Sequence, residues 1–212
     1  SILLPARASE EIAPDQAFVA MHWGGEYLGG SSSTGTPLAG INAVTTPANC
    51  PISKQPELKH VPVKILKAEL PWSLLAMAWL PDDDALAARR ALQSLMAAFP
   101  FAACVPFSGA DGSRGGLLFR AAAYEAPDDA LLSRIEGLLG LQAPDTLRYA
   151  DRRRGQRRAA RLARRADGAR LEAFLLGGDT SAEAWIATVL REELPAQDYG
   201  RLLLSPGARA PV

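Results

Sequence analysis

The chain holds only two cysteines, Cys50 and Cys104, among 212 residues. They lie far apart and without a C-x-x-C spacing, which excludes a disulfide framework and a zinc or iron–sulfur site encoded in this segment. A reducing, cytoplasmic compartment is the simpler expectation. Long apolar runs are missing as well. The longest, Leu70 to Leu80, carries Pro71 and Pro81 at its ends and falls well short of the ~20 residues that cross a bilayer. No membrane span is expected. Histidine is scarce, with His22 and His60 the only side chains that titrate near neutral pH unperturbed. There is no G-x-S-x-G elbow, no P-loop and no dinucleotide-binding glycine fingerprint, so the residues by themselves point to no self-sufficient catalysis. The chain opens on Ser1, and Ile2 to Pro5 is too short, and lacks the basic start, for a secretory signal. It reads as trimmed rather than targeted.

What is present is an ordinary globular composition, 48% hydrophobic and 22% charged, which calls for a packed core. Formal charge is zero but uneven. Between Arg148 and Arg170 ten arginines face only Asp151 and Asp167, so this stretch carries +8 and the remainder −8. Arginine alternates there with alanine and has no interleaved aromatics for base stacking, so a solvated strand face is favoured over nucleic-acid binding. Even spacing places Arg157 and Arg161 on one strand face, expected to be solvated, with Arg153 related across Gly155.

Three textures follow one another. Residues 1–68 are rich in Gly, Pro, Ser and Thr, with short apolar runs at Ala17–Met21 and Val61–Leu66, and read as short strands joined by long loops. Within them Gly24 to Gly40 contains six glycines and Ser31 to Ser33. That composition suits a surface loop, or a backbone that approaches a ligand closely. Residues 70–141 change character. Trp72 to Leu80 suits a buried strand. Asp82 to Asp84 then supply caps and first-turn carboxylates to a helix with Ala85, Ala88, Leu92, Leu95, Met96 and Phe99 at helical spacing. Phe101–Phe107 and Gly116–Tyr124 read as two more strands, and Asp128 caps a helix presenting Leu131, Leu132, Ile135 and Leu139. The order βαββα suggests a ferredoxin-like unit. In residues 146–212, Gln156–Arg164 and Arg170–Leu176 form a hairpin about Asp167-Gly168. Thr180 to Glu183 has capping-box spacing before a helix with Trp185, Ile186, Val189 and Leu190.

The most informative stretch is Gly40-Ile41-Asn42-Ala43-Val44-Thr45-Thr46-Pro47, followed by Pro51-Ile52-Ser53-Lys54-Gln55-Pro56-Glu57-Leu58-Lys59-His60 and the strand-like Val61–Leu66. It resembles the end of the dinucleotide-binding domain of the molybdopterin oxidoreductase family. There an Asn-x-Leu/Val-Thr motif and a Pro-Glu-Leu/Phe-Lys motif flank an Asp-Pro-Ile/Leu-Ser/Ala turn. Gln16 to Trp23 is similar to the family's strand ending in an aromatic or His residue beside the active-site funnel. Cys50 departs from the pattern, standing where the family has a turn-capping Asp.

The resemblance implies an α+β, β-rich fold: a partial double-psi β-barrel over residues 1–68, followed by the ferredoxin-like and ββα units. It implies binding of a bis-molybdopterin guanine dinucleotide through amides, hydroxyls and a cation. Asn42 would offer donor and acceptor to the pterin. Lys59 and His60 would face phosphate or pterin oxygen, Thr45 and Gln55 would add to the site, and His22 and Trp23 would lie near substrate access. The molybdenum ligand and the iron–sulfur cysteines are expected elsewhere in a longer polypeptide. Met21-His22-Trp23 and Ser53 to His60 resemble assimilatory nitrate reductases. Tyr149 to Trp185 is similar to the segment before a Cys-rich cluster domain in assimilatory nitrite reductases. The expected partners are the remainder of the same polypeptide and a ferredoxin, flavodoxin or flavoprotein electron donor. Alternatives are a docking module for an acidic electron carrier and a fragment of a formate dehydrogenase-like enzyme.

Overall fold

The apolar run at Trp72 has a simple structural consequence. A strand covered on one face alternates apolar and polar residues, whereas one covered on both faces does not. Strand β2 (Trp72–Trp79) is covered on both, and seven of its eight residues are buried. The computed structural model describes residues 2–20, 23–31, 34–37, 40–45, 47–56, 61–109 and 112–210. Around β2 it assembles β1 (Leu28–Gly29), β3 (Phe101–Ser108), β4 (Gly115–Ala123), β5 (Thr146–Asp151), β6 (Gln156–Arg165) and β7 (Gly168–Gly177). They form one antiparallel seven-stranded sheet in the order β1-β3-β4-β2-β7-β6-β5. The fold is α+β and sheet-rich.

Helices α1 (Asp82–Leu95) and α2 (Asp129–Leu138) cover one face of the sheet. There Ala88, Leu92, Leu132 and Ile135 pack with Leu74, Ala76, Phe119 and Leu175. Helix α3 (Glu183–Arg191) covers the other, where Ile186, Val189 and Leu190 meet Leu75, Met77, Phe174 and Leu176. Each fully buried Leu, Ile or Phe stabilises by roughly 1.5–3 kcal/mol, so the three layers are held chiefly by these two clusters. The β2 tryptophans also tie down distant backbone: Trp72 Nε1 donates to Gly155 O (2.9 Å) and Trp79 Nε1 to Leu190 O (3.2 Å).

Several expectations are met locally. Asp128 is the N-cap of α2, its carboxylate accepting from Leu131 N at 2.7 Å. The β6–β7 hairpin forms with Arg165 opposite Gly168, so its two central residues are Ala166 and Asp167 rather than Asp167 and Gly168. The capping box at Thr180 does not form. The N-cap of α3 is Ala182, without a side-chain cap, and the Thr180 hydroxyl is 3.1 Å from that of Ser73.

Two long-range features have no local sequence signal. Strand β5 lies at one edge, so α2 leads to the far side of the β5-β6-β7 meander instead of directly into the strand beside β2. Strand β7 takes that place, pairing Leu74–Ala78 with Ala173–Gly177. The strands of 70–141 and 146–212 therefore share one sheet. In residues 2–68, by contrast, the only named strand among the described residues is β1. Isolated bridges join Ser31 to Pro37 and Asn49 to Pro56.

The arginine stretch is mostly paired within the fold, although only Arg158 of the ten is buried and six are exposed. Arg157 and Arg161 do share a face, as even spacing requires, but it is the face under α2 and not a solvated one. Arg157 grips the buried Glu136 with two bonds (Nε to Oε1 2.6 Å, Nη2 to Oε2 2.8 Å), and Arg161 donates to Gly140 O at 3.0 Å. Those hydrogen bonds hold the Arg157 guanidinium above its ordinary pKa, against the opposing effect of burial. Arg158, on the opposite face, is 1% exposed and pairs with Asp179 at 2.8 Å. Arg148, Arg152, Arg154, Arg165 and Arg170 also have partners. Among the described residues, the guanidiniums of Arg153 and Arg164 alone in this stretch lack one.

Candidate cofactor-binding segment

The matched motifs sit on two turns, each closed by backbone hydrogen bonds. A turn at Gly24 is closed by Tyr27 N and Leu28 N, which both donate to Gly24 O (3.0 and 3.1 Å). Ile41 N donates to Trp23 O at 3.0 Å, bringing the second arm of the glycine-rich stretch against the first. Glycine is required at that crossing. A Cβ on Gly40 would lie 2.8 Å from Trp23 O and 2.9 Å from Gly24 Cα, too close for any side chain. The crossing leads straight into a 3-10 turn, Ile41–Val44, that carries Asn42 on its backbone, with Ala43 N donating to Gly40 O. Thr45 follows at once and is half-buried.

The second turn spans Cys50 to Gln55. Lys54 N donates to Cys50 O and Cys50 N to Gln55 O, both at 2.9 Å. Lys54 takes a left-handed φ of 59°. The Ser53 hydroxyl, then the Ser53 and Ile52 amides, lower the Cys50 thiol pKa against a small opposing effect of burial. Gln55 is exposed, its amide nitrogen 3.4 Å from Ser53 Oγ.

Of the expected site residues, then, Asn42, Thr45 and Gln55 lie on these two turns. The side chain of Asn42, and His22, Lys59 and His60 entirely, lie outside the described residues. Trp23 is half-buried, edge-on to Tyr27 (centroids 5.6 Å apart), and packs against the small cluster of Leu28, Phe101 and Ala103. The donor set on the turns, an asparagine, a threonine and a glutamine followed in sequence by Lys59 and His60, fits the polar rings and phosphates of a pterin dinucleotide. The close Gly24–Gly40 approach was not foreseen, although the glycine content hinted at it.

Elsewhere the polar groups are committed to the fold. A cleft of about 460 Å³ is lined in part by Trp79, Asp82, Arg114, Arg161 and Glu172, but Arg114 is paired with Glu172 and Glu193 and lies over the Trp79 ring. Asp179 gathers Arg158, Ser181 N (2.9 Å) and Gly207 N (2.7 Å). Burial acts to raise its carboxyl, but the Ser181 hydroxyl and amide, the Gly207 amide and Arg158 together hold it down at about 2. Burial also pulls the Arg158 guanidinium below its ordinary range. That group stays charged at any physiological pH, so the pair titrates from the Asp179 side. It is a structural hub.

No helix among the described residues is long and apolar enough to cross a membrane. No curated protein and no solved structure matches the chain. Residues 1–62 match the family model described as the molydopterin dinucleotide binding domain, a match that takes in both turns and supports a molybdopterin oxidoreductase family.

Proposed function

We propose that the chain is part of a molybdenum-cofactor oxidoreductase that reduces nitrate to nitrite, with residues 1–62 holding the polar periphery of a bis-molybdopterin guanine dinucleotide. The observation that carries the reading is that the family match covers the two turns bearing Asn42, Thr45 and Gln55 and runs through Lys59 and His60. When bound, the cofactor supplies oxygen-atom transfer, with two electrons and two protons converting nitrate to nitrite and water. The chain's own part is to bind and orient. Asn42 donates and accepts, Thr45 and Gln55 add neutral hydrogen bonds, Lys59 and His60 meet negative oxygen, and His22 and Trp23 border the approach of substrate. Phe18, Ile65 and Leu66 are 77%, 71% and 72% exposed in segments without regular secondary structure. Apolar side chains so placed favour a barrel completed by further polypeptide, as a partial double-psi barrel requires.

The sheet of residues 72–177 would scaffold the electron-input end in a cytoplasmic enzyme that carries iron–sulfur clusters elsewhere. The donor would be a ferredoxin, flavodoxin or flavoprotein. Since eight of the ten guanidiniums between Arg148 and Arg170 have partners within the fold, steering of an acidic donor falls mainly to Arg153, Arg164 and the exposed Arg152 and Arg154.

The test is the complete enzyme isolated from a host that makes the cofactor. It is expected to contain molybdenum and pterin and to reduce nitrate with reduced methyl viologen, without oxidising formate. Asn42→Ala and Lys59→Ala should each weaken cofactor retention roughly ten- to a hundred-fold, the equivalent of one charged or bidentate hydrogen bond. Protein without molybdenum or pterin would sink the cofactor assignment, and formate oxidation in place of nitrate reduction would replace the substrate.

A further inference from the structure

The segment matched to the dinucleotide-binding family is joined to the sheet by strand addition. Leu28 and Gly29 pair with Ala103 and Ala102 at the β3 edge. Cys104 N donates to Tyr27 O at 2.9 Å and Ser31 N to Phe99 O at 2.8 Å, and the Ser31 hydroxyl donates to Ala97 O. Helix α1 adds a second grip. Gln93 donates its side-chain amide to Glu26 O, and the Arg89 guanidinium lies 4.8 Å from the Tyr27 ring centroid and 3.8 Å from the Glu26 carboxylate. Two glycines let the backbones meet. A Cβ on Gly29 would strike the Met96 side chain, and one on Gly30, at φ +133°, would lie 2.5 Å from Pro100 O. The register cannot slide toward the end of β3, because Pro106, two residues beyond Cys104 with its nitrogen on the same side, has no N–H to offer.

From this grip the backbone runs directly to the 3-10 turn. Tyr27 and Leu28 close on Gly24, Gly24 touches Gly40, Trp23 O accepts from Ile41 N, and Ile41 opens the turn that carries Asn42. We propose that the β3 edge and α1 act as a clamp that fixes the position of this turn. Retention of the pterin dinucleotide would then be set partly by residues outside the matched segment. Arg89 and Gln93 are positioning residues, and Gly30 and Gly40 are the two joints of the relay. The cofactor half of this proposal rests on the reading under Proposed function, whereas the mechanical half does not.

Hydrogen exchange separates the two. In the chain itself, Gly30→Val breaks the joint at the sheet, and Gly40→Val breaks the joint at the turn. The expected result is that Gly30→Val speeds amide exchange both at residues 27–31 and at Ile41 and Ala43 by at least about fivefold, leaving β2 and β7 unchanged. Gly40→Val should speed exchange at Ile41 and Ala43 while residues 27–31 stay protected. The double variant Arg89→Ala/Gln93→Ala should reproduce the Gly30→Val pattern more weakly and without new side-chain bulk. In the complete enzyme, the same variants should lower molybdenum and pterin content while an Arg164→Ala control keeps it. If Gly30→Val and the double variant speed exchange at 27–31 but leave Ile41 and Ala43 at wild-type rates, the clamp is refuted. If the exchange pattern holds and the wild-type enzyme carries no pterin, the cofactor assignment fails and the clamp stands.

Discussion

Residues 2–68 and residues 72–204 solve the problem of backbone and charge in opposite ways. The second region closes its hydrogen bonds in a sheet and pairs its buried charges internally, with Glu136 gripped by Arg157 and Arg158 by Asp179. The first makes turns closed by a few backbone bonds, keeps Phe18, Ile65 and Leu66 in the open, and gains its most extensive support where Leu28 and Gly29 join the sheet. The lesson is one of division of labour. A region with a closed sheet can hold a loop-rich one in register, and the low-stability end of a fold is where binding segments are commonly found.

The difference can be reduced most by attacking the hub of the second region. Asp179→Ala leaves the Arg158 guanidinium buried with neither carboxylate nor, at Nε and Nη1, any other partner, and is expected to cost about 3–5 kcal/mol. Urea unfolding followed by tryptophan fluorescence reads it directly, and a cost under about 1 kcal/mol would show that solvent already reaches Arg158. Arg158→Met should cost less, since the carboxylate it abandons is 22% exposed and keeps its two amides. Acid gives the same result without mutation. The Asp179 carboxyl is at about 2 in the fold against 3.8 for the ordinary group. Its contribution of about 2 kcal/mol is present above pH 4 and lost as pH falls toward 2.

Within the arginine stretch the comparison sharpens. Arg157→Ala leaves Glu136 buried and unpaired, and about 3 kcal/mol of destabilisation is expected. Arg153→Ala and Arg164→Ala should leave the melting midpoint where it was, because neither guanidinium touches a partner. Differential scanning calorimetry of the three variants is the measurement. Equal midpoints for all three would mean that the Glu136 grip is open in solution.

This contrast also marks how far the sequence could be read. Elements with a local cause were legible: β2 from an apolar run needing cover on both faces, α2 from the Asp128 cap and its stripe, and the β6–β7 hairpin, its turn one residue earlier than Asp167-Gly168 suggested. Parity correctly put Arg157 and Arg161 together, but which face α2 covers depends on packing and not on period. The β2–β7 joint and β5 were not legible, since strand pairing across long stretches of chain leaves no mark in either segment, and β5 presents exposed Leu147 and Arg148. At the candidate site the motifs named Asn42, Thr45 and Gln55, and it is the structure that puts Asn42 and Gln55 on turns and Thr45 just after one. The Gly24–Gly40 crossing could not be seen, because a glycine-rich stretch does not say which glycines touch.

The smallest expected effect on stability comes from the most direct comparison, since each region holds one cysteine. Cys50 lies on the open turn, where the Ser53 hydroxyl and neighbouring amides stabilise its thiolate and lower its pKa from 9.0. Cys104 is buried on β3, and desolvation, only partly offset by the Arg89 charge, pushes its thiol up to about 11. The thiolate is the nucleophile, so at pH 8 alkylation by iodoacetamide should stop after one thiol, Cys50, with the rate half-maximal below pH 9.0. Cys104 should react at least ~100-fold more slowly, from its smaller thiolate fraction alone and before burial slows it further. Gly30→Val should leave the Cys50 rate unchanged and quicken Cys104, because freeing Tyr27 O from Cys104 N opens the β3 edge on which that cysteine sits. Mass spectrometry of the alkylated peptides counts both events. Two thiols modified at comparable rates in the wild-type chain would show that the β3 edge opens as readily as the turn, and the division between the two regions would not hold there.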